Sequence, residues 1–453
     1  MQLKDIISSP CGICFMLEQL DLQSGYARRY LLDSAMMTSE QEISASYDVL
    51  RSFLSFINNI EPVHLNTLLH KLMCLKDMRG TIENLKRHAV LDDIELFEIK
   101  HLAMLASDVK RLLEQYGFVG AIKIPVLDDV ISILDPDGMR IATFYVYDSY
   151  SDRLKELRAL MRKHPERQEE LFIEVTKIED EIRSGLSAKL HHYAQSLEQA
   201  QTALAMVDIA LAKARQMQHL GLSFPTVSTD ERTTYCRMFH PQVKDVLAKK
   251  SVLFQPVSIS IGSKPTLITG ANMGGKTVVL KTLTLCQYLY QFGFGIPADN
   301  AAISVKDEIY FCIGDEQSVE KGLSSFAAEM KNIDAVIKAS RKERKVLALI
   351  DEPARTTNPV EGTALVQALL SVLASVNVSL VMTTHYDIEP DDARCLRVRG
   401  FEQGVMNYEL VEVLDGEVPH EALNIAQSLG VDAEWLDNAR KLLSVSKSRN
   451  KLY

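Results

Sequence analysis

The stretch TLITGANMGGKTV, residues 266–278, places a short apolar run before a glycine-rich turn that ends in Lys-Thr. The turn has the form G-x-x-x-x-G-K-[ST], with Gly270, Gly275, Lys276 and Thr277 in register. The apolar run has the pattern of a buried strand, and the residues after the turn have the pattern of a helix. Strand, loop and helix in this order form the context of a phosphate-binding P-loop. The stretch therefore predicts a nucleotide site.

The residue types in this turn suit a bound phosphate chain. Glycines let the backbone fold tightly so that successive N–H groups point inward, and the following helix adds the positive end of its dipole. Lys276 is expected to neutralise the β- and γ-phosphates, and Thr277 to offer its hydroxyl to Mg²⁺. The predicted phosphate-binding residues are Gly270, Ala271, Asn272, Met273, Gly274, Gly275, Lys276 and Thr277.

Two further apolar runs also end in reactive side chains. From about residue 250 the pattern alternates strands and helices, as a parallel sheet with crossover helices requires. Residues 346–350 lead into Asp351-Glu352, a Walker B arrangement in which the aspartate orders Mg²⁺ and the glutamate prepares the attacking water. Residues 378–383 lead into Thr384-His385-Tyr386, which places an imidazole where it can sense the γ-phosphate.

Composition narrows the class of protein. At 453 residues and 47% hydrophobic, the chain is long enough for two or three domains. Its formal net charge of -10 gives no sequence-wide attraction to nucleic acid. This charge does not exclude a local basic surface. Seven cysteines include one C-x-x-C pair, Cys11 and Cys14, with no second pair to complete a zinc site. The start has no signal-peptide pattern and no apolar run spans a bilayer, so a reducing cytoplasm and no membrane partner are expected.

The first half of the chain has mainly helical patterns. Residues 1 to about 120 are predicted to be helical, and alternation between about 120 and 147 predicts short strands around a turn at 135–138. A helix over 151–163 and a long helix with an apolar stripe from Leu171 to Leu197 are expected to pair as an arm. Basic and acidic side chains are equally numerous over 151–190. Such a balance is typical of a helical face exposed to solvent.

Several segments resemble the MutS family of ATPases. The segment GANMGGKT is similar to their Walker A motif, and LALIDEPARTTNPVEG, residues 347–362, resembles their Walker B motif and following loop. SSFAAEM, residues 324–330, resembles their signature segment, and TTHY, residues 383–386, their switch histidine segment. FHP, residues 239–241, resembles the entry to the ATPase domain, and ALNIAQSLGVDAEWLDNARKLL resembles their dimerising helices. More weakly, the helical half resembles the core and lever of the shorter branch, which lacks a mismatch-reading domain.

The resemblance implies an architecture and a set of site residues. It implies an α/β fold: an ABC-type P-loop ATPase domain over 231–415, after an all-helical core and lever region over 1–230 with its lever arm at about 148–215. Dimerising helices follow over 416–453. The cofactors implied are ATP and Mg²⁺, and the partner is a second copy or a related MutS-like subunit. The implied site residues are Glu352 and His385 for catalysis, Thr277 and Asp351 for the metal, Asn272 near the γ-phosphate, Phe254 for adenine stacking, and Ser324 or Ser325 for the partner's site.

Three functions stay open at this point. The first is a DNA-processing ATPase of mismatch repair or recombination, although the mismatch-reading wedge, a connector domain and an appended nuclease domain are not found. The second is an ATP-driven reactivating factor of an adenosylcobalamin-dependent lysine 5,6-aminomutase, and the third is a regulatory nucleotide sensor. Residues 354–359 replace a glycine- and threonine-rich stretch of the family, so subunit contacts and hydrolysis timing are expected to differ. The candidate cations for a DNA channel are Arg153, Lys155, Arg158, Arg162, Lys163, Lys447, Arg449 and Lys451.

Overall fold

Most of the chain is described by the structure, a computed structural model. The described residues are 1–118, 120–141, 143–270, 275–313, 325–342, 344–376, 378–386, 388, 393–402, 405–413, 426 and 430–450. The predicted phosphate-loop residues 271–274, the signature residue Ser324 and most of the first predicted dimerising helix lie outside this range.

Fifteen helices are described. They are α1 (Ile13–Glu18), α2 (Gly25–Asp33), α3 (Glu40–Asn59), α4 (Pro62–Leu72), α5 (Arg79–Lys86), α6 (Asp93–Gln115), α7 (Asp128–Leu134), α8 (Asp152–Lys163), α9 (Gln168–Leu190), α10 (Ala194–Leu220), α11 (Pro241–Lys249), α12 (Lys276–Gln291), α13 (Ser325–Ser340), α14 (Pro359–Ala374) and α15 (Ala433–Asn450). Short 3-10 turns occur at Leu3–Ile6, Asp148–Tyr150, Pro165–Arg167 and His191–Tyr193. The helical prediction for residues 1 to about 120 is confirmed.

Helix α10 is the central helix of the N-terminal region. It packs against α2, α3, α5 and α6, and alanines and leucines are buried along its whole length. Its buried Asp208 accepts hydrogen bonds from the backbone N–H groups of Gln23 and Ser24, at 2.9 and 2.8 Å. Because a buried carboxylate is stable only when its oxygens are paired, these bonds fix the N-terminal segment against α10.

The strands predicted between about 120 and 147 are wrong. The described residues of this range form helix α7 and extended segments, with no strand. Leu127, Val130 and Leu134 are buried and lie three and four positions apart, which is a helical spacing. A short apolar run fits both the two-residue repeat of a strand and the 3.6-residue repeat of a helix. Here the run packs against the helical core and forms a helix.

The predicted arm is confirmed as a pair of packed helices, α8 and α9, joined by the turn at Pro165–Arg167. Leu154 and Leu157 of α8 pack with Leu171 and Val175 of α9 in a separate apolar cluster. The long apolar stripe does not form one continuous helix, because a 3-10 turn at His191–Tyr193 separates α9 from α10.

Within the described residues, ten strands form two sheets. They are β1 (Thr226–Val227), β2 (Thr233–Met238), β3 (Val257–Ile261), β4 (Thr266–Thr269), β5 (Asn300–Ile303), β6 (Glu308–Ile313), β7 (Val346–Asp351), β8 (Val378–Thr383), β9 (Arg394–Glu402) and β10 (Val405–Glu412). The larger sheet has the order β10-β9-β4-β8-β7-β6, parallel except for β10, and the smaller sheet has the order β1-β5-β2-β3. The three strands predicted at 266–269, 346–350 and 378–383 are confirmed, and the chain is a mixed α/β protein with a helical N-terminal region.

The larger sheet is covered on both faces. Side chains of β7 alternate between two cores, with Leu347 and Leu349 in the core shared with the helical region and Val346, Ala348 and Ile350 in the other. Helix α12 lies in the first core, whereas α13 and α14 contribute to the second. A strand buried on both faces gives a continuous apolar run, which explains why these strands were recognisable in the sequence.

Helix α12 links the predicted phosphate loop to the helical region. It begins at Lys276, and carbonyl groups at and after its C-terminal end accept hydrogen bonds from the N-terminal helices. The hydroxyl of Tyr47 donates to the Phe294 carbonyl at 2.8 Å, and the Lys213 ammonium donates to the Phe292 carbonyl at 2.6 Å. Burial lowers the pKa of Lys213 to about 7. Side chains of α3 and α10 therefore hold the backbone at the C-terminal end of α12.

His240 makes a second link between the two regions. Its Nε2–H donates to the Cys11 carbonyl at 3.0 Å, and its Nδ1 accepts from the Val243 N–H at 3.5 Å. The imidazole also fills the space beside Gly12, where a Cβ atom would lie 2.6 Å from its Cε1. This pairing requires the neutral ring, and burial lowers the pKa of His240 to about 4.

The C-terminal helix α15 carries an exposed tryptophan. Leu436 is buried, whereas Trp435 is 66% exposed. None of the helices in the described part of the chain combines the length and the apolar composition needed to cross a membrane.

The link at His240 predicts a pH-dependent stability. The ring has a pKa of about 4 in the folded chain against 6.5 in the unfolded chain, so between these values the unfolded chain binds the extra proton. The stabilisation is complete above pH 6.5 and is lost as the pH falls towards about 4. We expect wild type to lose on the order of 2–3 kcal/mol more than His240→Gln over this range in urea unfolding followed by circular dichroism. The exposed His219→Gln variant should follow wild type, and parallel curves for wild type and His240→Gln would contradict the prediction.

Candidate functional site

The predicted phosphate loop joins the end of β4 to the start of α12. Gly270 has a φ of 130° and Gly275 a φ of 73°, backbone regions that side chains rarely adopt. A Cβ atom at Gly275 would also lie 3.1 Å from Cδ1 of Tyr408 in β10. The glycines at the two described ends of the loop are therefore required by the backbone itself.

The Lys276 side chain reaches back to Gly270, the residue that precedes the loop. Its ammonium donates to the Gly270 carbonyl at 2.7 Å and lies 3.1 Å from Oε1 of Glu352. Its side chain is only 4% exposed, so this positive charge is enclosed near Gly270 and the end of β7. The arrangement provides a cation at the place where the sequence predicts phosphates.

Asp351, at the end of β7, joins the start of α12 to the end of β8. Its Oδ2 accepts from the hydroxyl of Thr277 at 2.8 Å, and its Oδ1 accepts from the hydroxyl of Thr383 at 2.6 Å. The Thr383 oxygen in turn accepts from the Glu352 N–H at 2.9 Å. Because β4, β8 and β7 are adjacent and parallel, their carboxyl ends meet here. The predicted residues Thr277, Asp351 and Glu352 thus lie together.

The carboxylate of Glu352 lies between two cations. Besides Lys276 on one side, Nη1 of Arg355 lies 3.8 Å from its Oε2. Glu352 itself has a φ of 44°, which is rare for a residue other than glycine. The backbone after β7 is therefore held in a specific turn that sets where the Glu352 side chain leaves the main chain.

His385 follows β8 at the same edge of the sheet and is exposed. Its ring centroid lies 4.3 Å from that of Tyr386, whose hydroxyl donates to the Ala354 carbonyl at 2.7 Å. The structure thus connects the histidine segment to the turn that follows Glu352.

Besides Phe254, the predicted aromatic contact of the nucleotide, the structure places a second aromatic residue, Tyr408, beside Gly275. Phe254 is partly buried against the main core, and the side chain of Gln255 next to it bonds both Asn407 and the N–H of Tyr408, at 2.8 and 3.0 Å. Tyr408 places its ring against Gly275. Tyr408 is therefore a second aromatic candidate, and only the register of β10 brings it to the loop.

Four site residues had no predicted role: Thr383, Tyr386, Tyr408 and Glu329. Nothing in the sequence marks Thr383 as a partner of Asp351, or Tyr386 and Glu329 as partners of Ala354. Nothing marks Tyr408 as a neighbour of Gly275 either. Of the predicted signature serines, Ser324 lies outside the described residues, and Ser325 is the first residue of α13 with a side chain outside them.

The donor atoms fit Mg²⁺ held together with a nucleotide. The Thr277 hydroxyl and the Asp351 carboxylate are adjacent oxygen ligands of the kind this hard cation prefers. Among the described residues no group of three or more His, Cys, Asp or Glu side chains is placed to hold a metal alone. Since Mg²⁺ at phosphate sites usually has few protein ligands and is completed by phosphates and water, the pair is a sufficient protein contribution.

Comparisons with known proteins bear on the same residues. The family described as MutS domain V matches residues 266–431, which include the three strand ends of the site. The protein named Endonuclease MutS2 from Leuconostoc mesenteroides is 32% identical over 384 residues, 82% of this chain and 45% of that protein. The protein of the same name from Lactiplantibacillus plantarum is 31% identical over 301 residues, 64% of this chain and 35% of that protein. The chain thus spans less than half the length of these relatives.

Proposed function

We propose that this chain, which belongs to the MutS family, binds and hydrolyses ATP and uses the resulting conformational change in DNA binding or processing. The observation that carries the proposal is the meeting of Thr277, Asp351 and Glu352 beside the loop that begins at Gly270. Four motifs of an ABC-type ATPase occur in order along the chain, and the described parts of three of them lie at one edge of the sheet.

The binding step rests on the loop and on Lys276. The loop N–H groups and the Lys276 ammonium would bind the β- and γ-phosphates, and Thr277 and Asp351 would hold Mg²⁺, which would neutralise charge on the phosphate oxygens. Lys276 now pairs with Glu352 at 3.1 Å, and a phosphate anion competes for that ammonium. Nucleotide binding therefore releases the Glu352 carboxylate from its lysine partner.

The hydrolytic step rests on Glu352. A carboxylate next to the γ-phosphate orients the attacking water and accepts its proton, and His385 contacts the γ-phosphate from the end of β8. Ser324 or Ser325 completes the site of a partner subunit, so hydrolysis requires two subunits. Phe254, together with Tyr408, provides the aromatic surface for adenine.

Assembly as a homodimer, or as a heterodimer with a related subunit, is supported by α15. The exposed Trp435 presents a large apolar surface that a partner would cover. The segment from Glu421 to Leu429 is the other helix of the predicted dimerising pair.

DNA is the proposed client because the chain belongs to the MutS family and its relatives carry the name endonuclease. Three of the five candidate cations on the arm are paired: Arg153 with Glu174 at 2.7 Å, Arg158 with Asp148 and Glu179, and Arg162 with Asp148 at 3.9 Å. We therefore expect modest affinity that does not depend on mismatches. The alternative, a reactivating factor of an adenosylcobalamin-dependent lysine 5,6-aminomutase, has no supporting observation in the described residues or the comparisons.

Hydrolysis is tested with Glu352→Gln. We expect Mg²⁺-dependent ATP turnover to fall by ~10²-fold or more while ATP binding survives, because the change removes the base but keeps the phosphate contacts. Turnover is measured by phosphate release and binding by calorimetry. The exposed Glu361→Gln variant is the matched control and should keep wild-type turnover. Equal turnover in Glu352→Gln and wild type would exclude Glu352 from the mechanism.

Assembly and DNA binding are tested together. We expect a dimer in light scattering, and binding to homoduplex, mismatched and four-way-junction DNA that weakens between ~50 and ~200 mM salt through counterion release. Trp435→Glu should give monomers and weaker DNA binding, whereas Val63→Glu, at another exposed apolar position, should do neither. No binding to any of the three DNAs, with or without a non-hydrolysed ATP analogue, would refute the DNA proposal, and a dimeric Trp435→Glu variant would refute the interface.

A further inference from the structure

The turn after β7 has an unusual backbone. Glu352 has a φ of 44° and Ala354 a φ of 61°, and neither residue is glycine. L-residues adopt such angles only where the surrounding structure holds them, and such positions concentrate at functional sites. What holds this turn therefore also holds the carboxylate of Glu352.

Both backbone groups of Ala354 are bonded by side chains from other elements. Its N–H donates to Oε1 of Glu329 in α13 at 3.0 Å, and its carbonyl accepts from the Tyr386 hydroxyl at 2.7 Å. The carbonyl also accepts a longer bond, 3.2 Å, from the Thr357 N–H within the turn. Ala354 is only 1% exposed, so water does not replace these partners.

The space for the Tyr386 hydroxyl is provided by Gly362 in α14. A Cβ atom at Gly362 would lie 2.2 Å from the hydroxyl oxygen of Tyr386. A glycine inside a helix lowers helix stability, and the backbone of α14 has no positive φ that would require one. The glycine is explained by the close approach of Tyr386.

Burial encloses both side chains. It raises the pKa of the Glu329 carboxyl, although the bond from the Ala354 N–H acts in the opposite direction. It also raises the pKa of Tyr386, with a smaller contribution from the charge of Glu329. The two side chains thus contact the same residue in one enclosed region.

We propose that Glu329 and Tyr386 are positioning residues that clamp Ala354 and thereby set the place of Glu352 relative to α13. This inference rests on the proposed ATPase function. Glu329 lies one turn into the helix that begins at Ser325, and Tyr386 directly follows His385. A shift of α13 by a partner subunit, or of the histidine segment by the γ-phosphate, moves Ala354 and so moves the carboxylate two residues before it. The clamp makes water activation depend on both contacts.

The test removes each bond separately. Tyr386→Phe removes only the hydroxyl, Glu329→Ala removes the acceptor, and Glu329→Gln keeps a carbonyl oxygen that can accept from the Ala354 N–H. We expect kcat to fall ~10-fold in Tyr386→Phe and in Glu329→Ala, with the Kd for ATP within about twofold of wild type, and Glu329→Gln to recover most of the turnover. The double variant should lose less than the product of the two losses, because both changes act on Ala354. Tyr310→Phe, which loses a hydroxyl bonded to Glu308 at 2.7 Å in β6, is the matched control.

Hydrogen exchange of the peptide covering 351–357 gives a readout independent of turnover. Faster exchange in Tyr386→Phe and Glu329→Ala, with slow exchange kept in Glu329→Gln and Tyr310→Phe, is expected. Wild-type exchange and turnover in Tyr386→Phe would overturn the clamp while leaving the ATPase intact. Equal losses in Glu329→Ala and Glu329→Gln, accompanied by the same loss of thermal stability, would also overturn it. A wild-type protein that neither binds nor hydrolyses ATP would instead refute the proposed function and the positioning role with it.

Discussion

The carboxylate of Asp351 is the interaction on which the site depends. Its two oxygens bond the hydroxyls of Thr277, at the start of α12, and Thr383, at the end of β8. A buried carboxylate needs such partners, and these come from two elements that are far apart in sequence. The pairings hold α12 and the end of β8 against the end of β7. The positions of Lys276 and Glu352, the two charges expected to act on the phosphates, follow from this arrangement.

The same geometry explains how the site can act at a distance. Helix α12 starts at the loop and is covered by the helical region, whose Tyr47 and Lys213 bond the carbonyls that follow its C-terminal end. On the opposite face of the sheet, α13 contacts the turn after Glu352 through Glu329. Under the proposed function, a change at bound phosphates would have two packed paths outward, one to the N-terminal helices and one to the helix that begins at the predicted signature segment. Contiguous packed elements of this kind can carry coupling between distant sites.

The sequence was informative where local chemistry decides the structure and uninformative where tertiary packing decides it. The three strands before Gly270, Asp351 and His385 were predictable because strands buried on both faces give unbroken apolar runs. The strands expected near residues 120–147 were wrong because Leu127, Val130 and Leu134 fit a helix equally well. Thr383, Tyr386, Tyr408 and Glu329 could not be identified from the sequence. The contact of Tyr408 depends on the register of β10 and that of Glu329 on how α13 packs, whereas the partners of Thr383 and Tyr386 depend on the pairing of β7 with β8. The nucleotide roles of the predicted site residues stay predictions.

A crystal structure of the wild-type chain with Mg²⁺ and a non-hydrolysed ATP analogue tests the central claim most directly. The expected result is a triphosphate in the loop between Gly270 and Thr277, with the Lys276 ammonium moved from Glu352 to the β- and γ-phosphates. Thr277 and Asp351 should contact the metal, either directly or through its water. A nucleotide bound elsewhere, or a Lys276 that stays paired with Glu352 while the nucleotide is present, would contradict the claim.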